Sequence, residues 1–193
     1  MIPLNRKLLK LKRSGIRAYS ALAAETPGCI SLTLGEPEFD TPAPITAAGK
    51  AALDGGKTHY APNAGLMDLR RAIAKTENRE PEEILVTIGA SGALFTALLG
   101  ILNPGDQVIV PMPAFPLYET IITMAGAEVV PLETWKDGFQ IRPERLNALV
   151  NGHTKAILLN SPNNPTGVVY DRASMAAVKN AILGKSIFLL CDQ

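Results

Sequence analysis

From residue 82 onward the chain alternates short β-rich runs with helix-like segments, and this alternation restricts the possible fold more than any other feature. The runs are EILVTIG, DQVIVP, AEVVPL, TKAILLNSP and KSIFLLCD. Between them lie SGALFTALLGIL, PLYETIITMAG, RPERLNALV and DRASMAAVKNAIL, each with apolar residues three and four apart. Pro104-Gly105-Asp106 and Gly126 supply stops. Strand and helix in strict turn build a parallel sheet covered by helices. Several runs are apolar at both alternating positions, as required when helices cover both faces. The expectation is an α/β protein: three layers, αβα, around a mostly parallel sheet.

Residues 1 to 81 read differently. A basic, helix-like start is followed by the Pro- and Gly-rich loop LGEPEFDTPAP and then by helices around 44 to 55 and 66 to 76, with no strand alternation. Arg6, Lys7, Lys10, Lys12, Arg13 and Arg17 all precede the first acid, Glu25. A solvated amphipathic helix is expected there in preference to a targeting or membrane-surface segment, because the start lacks the apolar core of a secretory signal.

Composition narrows the classes. The length of 193 residues suits one core. Nineteen basic against 18 acidic residues leave a net charge of +1, which gives no reason to expect a nucleic-acid partner. No apolar run approaches the ~20 residues of a membrane helix, so a cytoplasmic protein is expected. Cys29 and Cys191 are too few and too far apart for a disulfide framework, and with only His59 and His153 beside them no metal site is expected.

Four places carry candidate chemistry. Ala90, Ser91 and Gly92 fall where the run EILVTIG passes into a helix, and small residues at a helix start let an anion approach free N–H groups; a plain N-cap fits the same residues. In PMPAFPLYE, Pro111 and Pro113 end a strand and project Phe115 from its C-terminal edge, where open α/β sheets bind ligands; a core or lid aromatic is the alternative. Tyr118, one helical turn on, is expected to support packing. Asp192 closes SIFLLC at another strand end and either faces the same edge or caps a following helix. In SPNNPTG, Pro162 and Pro165 fix their own φ and restrict the residue before each, so Asn164 takes a direction set by the backbone.

Taken in order, LGEPEFDTP, HYAPNAGLMDLR, VTIGASGAL, PMPAFPLYE, NSPNNPTG and FLLCD resemble the fold-type I pyridoxal phosphate enzymes, in particular the class I and II aminotransferases. Within that family the start SGIRAYSALA, the LTLGEPEFDTP loop and HYAPNAG look most like the bacterial N-acetyl-diaminopimelate, aspartate and aromatic aminotransferases. The resemblance implies a pyridoxal 5'-phosphate cofactor and exchange of an amino group between an amino acid and a 2-oxo acid. It implies a homodimer, with an N-terminal arm and substrate loop over 1–43 and part of the cofactor-binding large domain over 44–193.

The resemblance also assigns roles. Ala90, Ser91 and Gly92 become the cofactor's phosphate cup, and Phe115 stacks on its ring. Asp192 pairs with the protonated ring nitrogen, keeping the ring an electron sink. Asn164 donates to the cofactor's phenolic oxygen and to the substrate carboxylate. Tyr60 reaches the phosphate of the neighbouring subunit, and Gly35 lets the backbone approach the substrate carboxylate. The family's Schiff-base lysine follows the Asp192 motif. Lys179 and Lys185 precede it, so no catalytic lysine is assigned and the chain is expected to be an N-terminal fragment, inactive alone. C–S lyases and aminocyclopropane carboxylate synthases share these motifs and remain open, as does a non-catalytic phosphate-binding relic.

Overall fold

The computed structural model describes residues 2, 5, 7, 9, 11 and 15–193. Two units form: residues up to Leu11 together with Thr87–Gln193, and Lys12–Val86. The basic start expected as an amphipathic helix falls mostly outside the described residues.

In the larger unit, four of the five β-rich runs become strands: β1 (Gln107–Met112), β2 (Glu128–Glu133), β3 (Thr154–Asn160) and β4 (Phe188–Asp192). They pair in parallel in the order β2-β1-β3-β4. The period of two in each strand divides its side chains between two cores. Val108 and Val110 of β1, with Ala156 and Leu158 of β3, pack against Leu94 and Leu98 of α4 (Gly89–Ile101) and Ile121 and Ile122 of α5 (Leu117–Ala125). The alternate residues Ile109, Ile157 and Leu159 pack against Leu146 of α6 (Pro143–Leu149) and Val178 of α7 (Arg172–Ile182). The result is the expected αβα sandwich.

Pro111 sits in an interior strand, which has a local explanation. The ladder from β1 to β3 runs only to Ile109↔Ile157, so the proline that has no N–H to give lies beyond it. Gly126 ends α5 at φ +85°, and its N–H returns to the carbonyls of Ile122 and Thr123.

The run EILVTIG does not form the expected strand. Ile84 is extended (φ −101°, ψ 125°), but no strand pairs with residues 84–88 among the described residues. A strand exists only through its neighbour's backbone. Here Arg70 Nε donates to the Ile84 carbonyl at 2.9 Å, and the Val86 N–H goes to the Ala64 carbonyl at 3.0 Å.

The smaller unit holds α1 (Gly15–Glu25), α2 (Ala43–Asp54) and α3 (Met67–Glu77), the last two within a residue of their predicted positions. In HYAPNAG, Gly65 has φ +97° and a Cβ there would lie 2.6 Å from the Val86 side chain, so glycine is required. Ala74 is the one described hydrophobic residue outside the larger unit that is buried. No described helix is long and apolar enough to cross a membrane.

Candidate functional site

Because all four strands are parallel, their C-terminal ends share one edge, and three of the sequence-predicted residues are set from it. Phe115 follows β1 and reaches the start of α5. Its ring meets Tyr118 edge to face, with centroids 5.7 Å apart. Tyr118 is buried against the sheet, yet its hydroxyl donates to Asp192 Oδ2 at 2.5 Å. Burial chiefly, and then the hydrogen bond to Asp192 and its charge, raise the Tyr118 phenol well above the ordinary tyrosine range. It stays a donor throughout neutral pH. Asp192 thus ends β4 with its carboxylate held from α5.

The SPNNPTG loop leaves β3 beside it. Asn160, the last residue of β3, pairs in register with Asp192, and its side-chain Nδ2 donates to the Asp192 carbonyl at 3.0 Å. Its Oδ1 accepts the Asn164 N–H at 2.5 Å. Asn163 closes the loop on itself. Its Oδ1 accepts from the Thr166 hydroxyl at 2.9 Å and the Thr166 N–H at 3.2 Å, and its main-chain carbonyl accepts the Gly167 N–H at 2.7 Å. Asn163 is buried, whereas Asn164 is exposed and its side-chain amide has no hydrogen-bond partner among the described residues. The loop is built so that one asparagine is structural and the next is presented.

α4 contributes the third part. It begins at Gly89, two residues before the expected Ser91, on an N-cap, Ile88, whose side chain caps nothing. The Gly89 N–H bonds the Thr87 carbonyl and the Gly92 N–H bonds that of Ile88, at 2.9 and 3.3 Å. The N–H groups of Ala90 and Ser91 have no acceptor among the described residues. A Cβ on Gly92 would stand 3.3 Å from the Thr87 Cβ, so its small size is accounted for by Thr87. Between α4 and β4 lies a cavity of about 480 Å³, lined by Ala90, Ala93, Leu94 and Ala97 on one side and Leu190, Cys191, Asp192 and Gln193 on the other.

Ala90 and Asp192 therefore line one cavity, Phe115 joins Asp192 through Tyr118, and Asn164 joins it through Asn160. Gly35 and Tyr60 belong to the smaller unit. Gly35 is exposed, with nothing within 4 Å of a Cβ built on it, and the Tyr60 side chain is fully exposed. Neither owes its identity to packing within that unit. Tyr118 and Asn160 make polar contacts at this edge that the sequence pattern does not predict. The sequence predicts only packing for Tyr118, and Asn160 falls at the end of an apolar run. The available signals were a hydroxyl on a buried helix position and an amide closing four apolar residues.

An asparagine-bearing loop, a held carboxylate and a helix start without a side-chain cap stand together at one sheet edge of this α/β fold. The chain matches the sequence pattern of the aminotransferase class I and II family over residues 27–193 and belongs to that family. It is 38% identical to a probable N-acetyl-LL-diaminopimelate aminotransferase of Bacillus subtilis, over 98% of this chain and 50% of that protein. It is 39% identical to an aspartate/prephenate aminotransferase of Thermus thermophilus, over 100% of this chain and 49% of that protein. Among solved structures, the Thermus thermophilus aspartate aminotransferase with maleate superposes with a TM-score of 0.93 at 39% identity, covering 99% of this chain and 53% of that one. The N-succinyldiaminopimelate aminotransferase of Mycobacterium tuberculosis does so at 0.89 and 33%, covering 98% and 51%. The chain spans about half the length of these relatives.

Proposed function

We propose that the chain forms the cofactor-binding part of a pyridoxal phosphate-dependent aminotransferase, a homodimeric enzyme that exchanges an amino group between an amino acid and a 2-oxo acid. The observation that carries this reading is the Asp192 carboxylate, held by Tyr118 in the cavity that α4 opens onto.

The residues present fit the cofactor. Two free N–H groups at Ala90 and Ser91, at the positive end of a helix dipole, suit a phosphate, and the Ser91 hydroxyl adds a donor. The nearby carboxylate of Asp192 suits a protonated ring nitrogen and keeps the proton on it. Phe115 is the aromatic surface for the ring. The exposed amide of Asn164 donates to the phenolic oxygen and to a substrate carboxylate without carrying charge. When bound, pyridoxal phosphate supplies a ring that stabilises negative charge at the substrate's α-carbon. Gly35 and Tyr60 complete the proposal, Gly35 at the substrate carboxylate and Tyr60 at the phosphate of the partner subunit. With no lysine matched to the covalent role, the chain alone binds but does not turn over.

Titration of the chain with pyridoxal phosphate, followed by its visible absorption, tests this. Saturable binding is expected, in competition with inorganic phosphate, and Asp192→Ala should weaken it by about tenfold or more, the scale of a lost charged partner. Absence of saturable binding at millimolar ligand would overturn the reading. Formation of a keto acid from any amino acid by this chain alone would overturn its assignment as catalytically incomplete.

A further inference from the structure

We propose that Asn160 is a positioning residue that ties Asn164 and Asp192 into one unit, so that the two side chains offered to the cofactor are set by a single amide. The proposal rests on the reading of Asn164 and Asp192 as cofactor-binding residues.

Asn160 is only 9% exposed and follows Leu158 and Leu159, both buried, at the end of an apolar strand. A buried amide is costly unless both its ends are satisfied. Here both are, and by different pieces of chain. Oδ1 accepts the main-chain N–H of Asn164 at 2.5 Å, and Nδ2 donates to the main-chain carbonyl of Asp192 at 3.0 Å. The polarity of the partners fixes which end is which, since an N–H can face only the oxygen and a carbonyl only the NH2 group. The Ser161 N–H donates to the same Asp192 carbonyl at 3.1 Å, so β3 grips the end of β4 by both main chain and side chain. Asn163 shows what a purely loop-closing asparagine does: its side chain bonds Thr166 and Pro113. Asn160 instead spans from the loop to the neighbouring strand. Tyr118 holds the Asp192 carboxylate and Asn160 holds its main chain, so two elements fix one acid from two sides. A shift of β4 would pull on Asn160 and release the Asn164 N–H.

The test compares the unaltered 193-residue chain with Asn160→Ala, Asn160→Asp, Asn164→Ala and the double substitution Asn160→Ala/Asn164→Ala. Amide hydrogen exchange at Asn164 and Ser161 is read by NMR, and affinity by pyridoxal phosphate titration. Asn160→Ala should speed exchange at Asn164 by about tenfold or more, as expected for loss of a buried acceptor. Asn160→Asp keeps the acceptor for Asn164 but turns an oxygen toward the Asp192 carbonyl. Protection of Asn164 should therefore persist while cofactor affinity drops several-fold. Asn164→Ala should cost less affinity on top of Asn160→Ala than alone, because the first change has already unseated the second residue.

Unchanged Asn164 exchange in Asn160→Ala would overturn the tie. So would full additivity of the two alanine substitutions, or equal loosening of Asn164 and Ser161 in Asn160→Asp. Exchange needs no cofactor. A chain that binds no pyridoxal phosphate would sink the functional reading, and the tie would then be decided on Asn164 exchange alone.

Discussion

Helices α7 and α4 begin in opposite ways. α7 starts on Asp171, whose carboxylate accepts the Ser174 N–H at 2.6 Å, while the Asp171 N–H is itself taken by Gln140 Oε1 at 3.0 Å. α4 starts on Ile88, a residue 96% exposed that can cap nothing, and leaves the N–H groups of Ala90 and Ser91 free among the described residues. The four N–H groups at any helix start must find acceptors, from side chains, water or a ligand. α7 finds two of them within the chain, for the N–H groups of Asp171 and Ser174, through side chains that cap its start. α4 has no side-chain cap at its start, and Ala90 lines the cavity that Asp192 shares. A side-chain cap ties the start of α7 to its surroundings, and the start of α4 has none.

The largest expected effect lies on the satisfied side. Asn163→Ala removes the acceptor of both the Thr166 hydroxyl and its N–H, together with the donor to the Pro113 carbonyl, from a buried position. Stranding these groups should cost about 3 kcal/mol in denaturant unfolding. Asn164→Ala, one residue on and exposed, should leave stability almost unchanged. A comparable loss at both positions would erase the distinction between a structural and a presented asparagine.

A smaller loss is expected from Asp171→Ala, and it should depend on pH. The hydrogen bond from the Ser174 N–H chiefly, with the charge of Arg142, holds the Asp171 carboxyl below the usual carboxylate range. The folded state therefore binds its proton less tightly than the unfolded chain. Its stabilisation is complete above the unfolded value and fades as pH falls through the folded one. Thermal unfolding should show Asp171→Ala less stable than the parent at pH 7, with the gap closing at strongly acidic pH. A gap that persisted there would mean that the carboxylate is not what caps α7.

Much of this was legible in the sequence because it is local. The period of two in DQVIVP and TKAILLN and the three-four spacing in DRASMAAVKNAIL come from geometry within one element, and β1, β3 and α7 appear where those patterns stand. The run EILVTIG has the same pattern and forms no strand, because pairing depends on a neighbour that spacing cannot supply. The hydroxyl of Tyr118 finds its partner 74 residues away, and the amide of Asn160 finds one 32 residues away. Both contacts exist only once the strand order is known. The sequence also placed the opening of α4 at Ser91. The true start, at Gly89, is set by main-chain bonds from Gly89 and Gly92 and has no side-chain signature.

The smallest expected effect addresses the open helix directly. Ile88→Asp would give α4 the kind of cap that α7 has. If the free N–H groups of the first turn are a cost that the fold carries for a ligand, supplying an acceptor should stabilise the chain slightly, by about 0.5 kcal/mol. The same carboxylate would occupy the N–H groups and repel an anion, so competition by inorganic phosphate and affinity for pyridoxal phosphate should both fall. The two readouts therefore move in opposite directions, which a general loosening of the helix could not produce. Lower stability together with weaker binding would show that α4 is already satisfied as it stands. Higher stability with unaltered phosphate binding would place the anion elsewhere and remove Ala90 and Ser91 from the site.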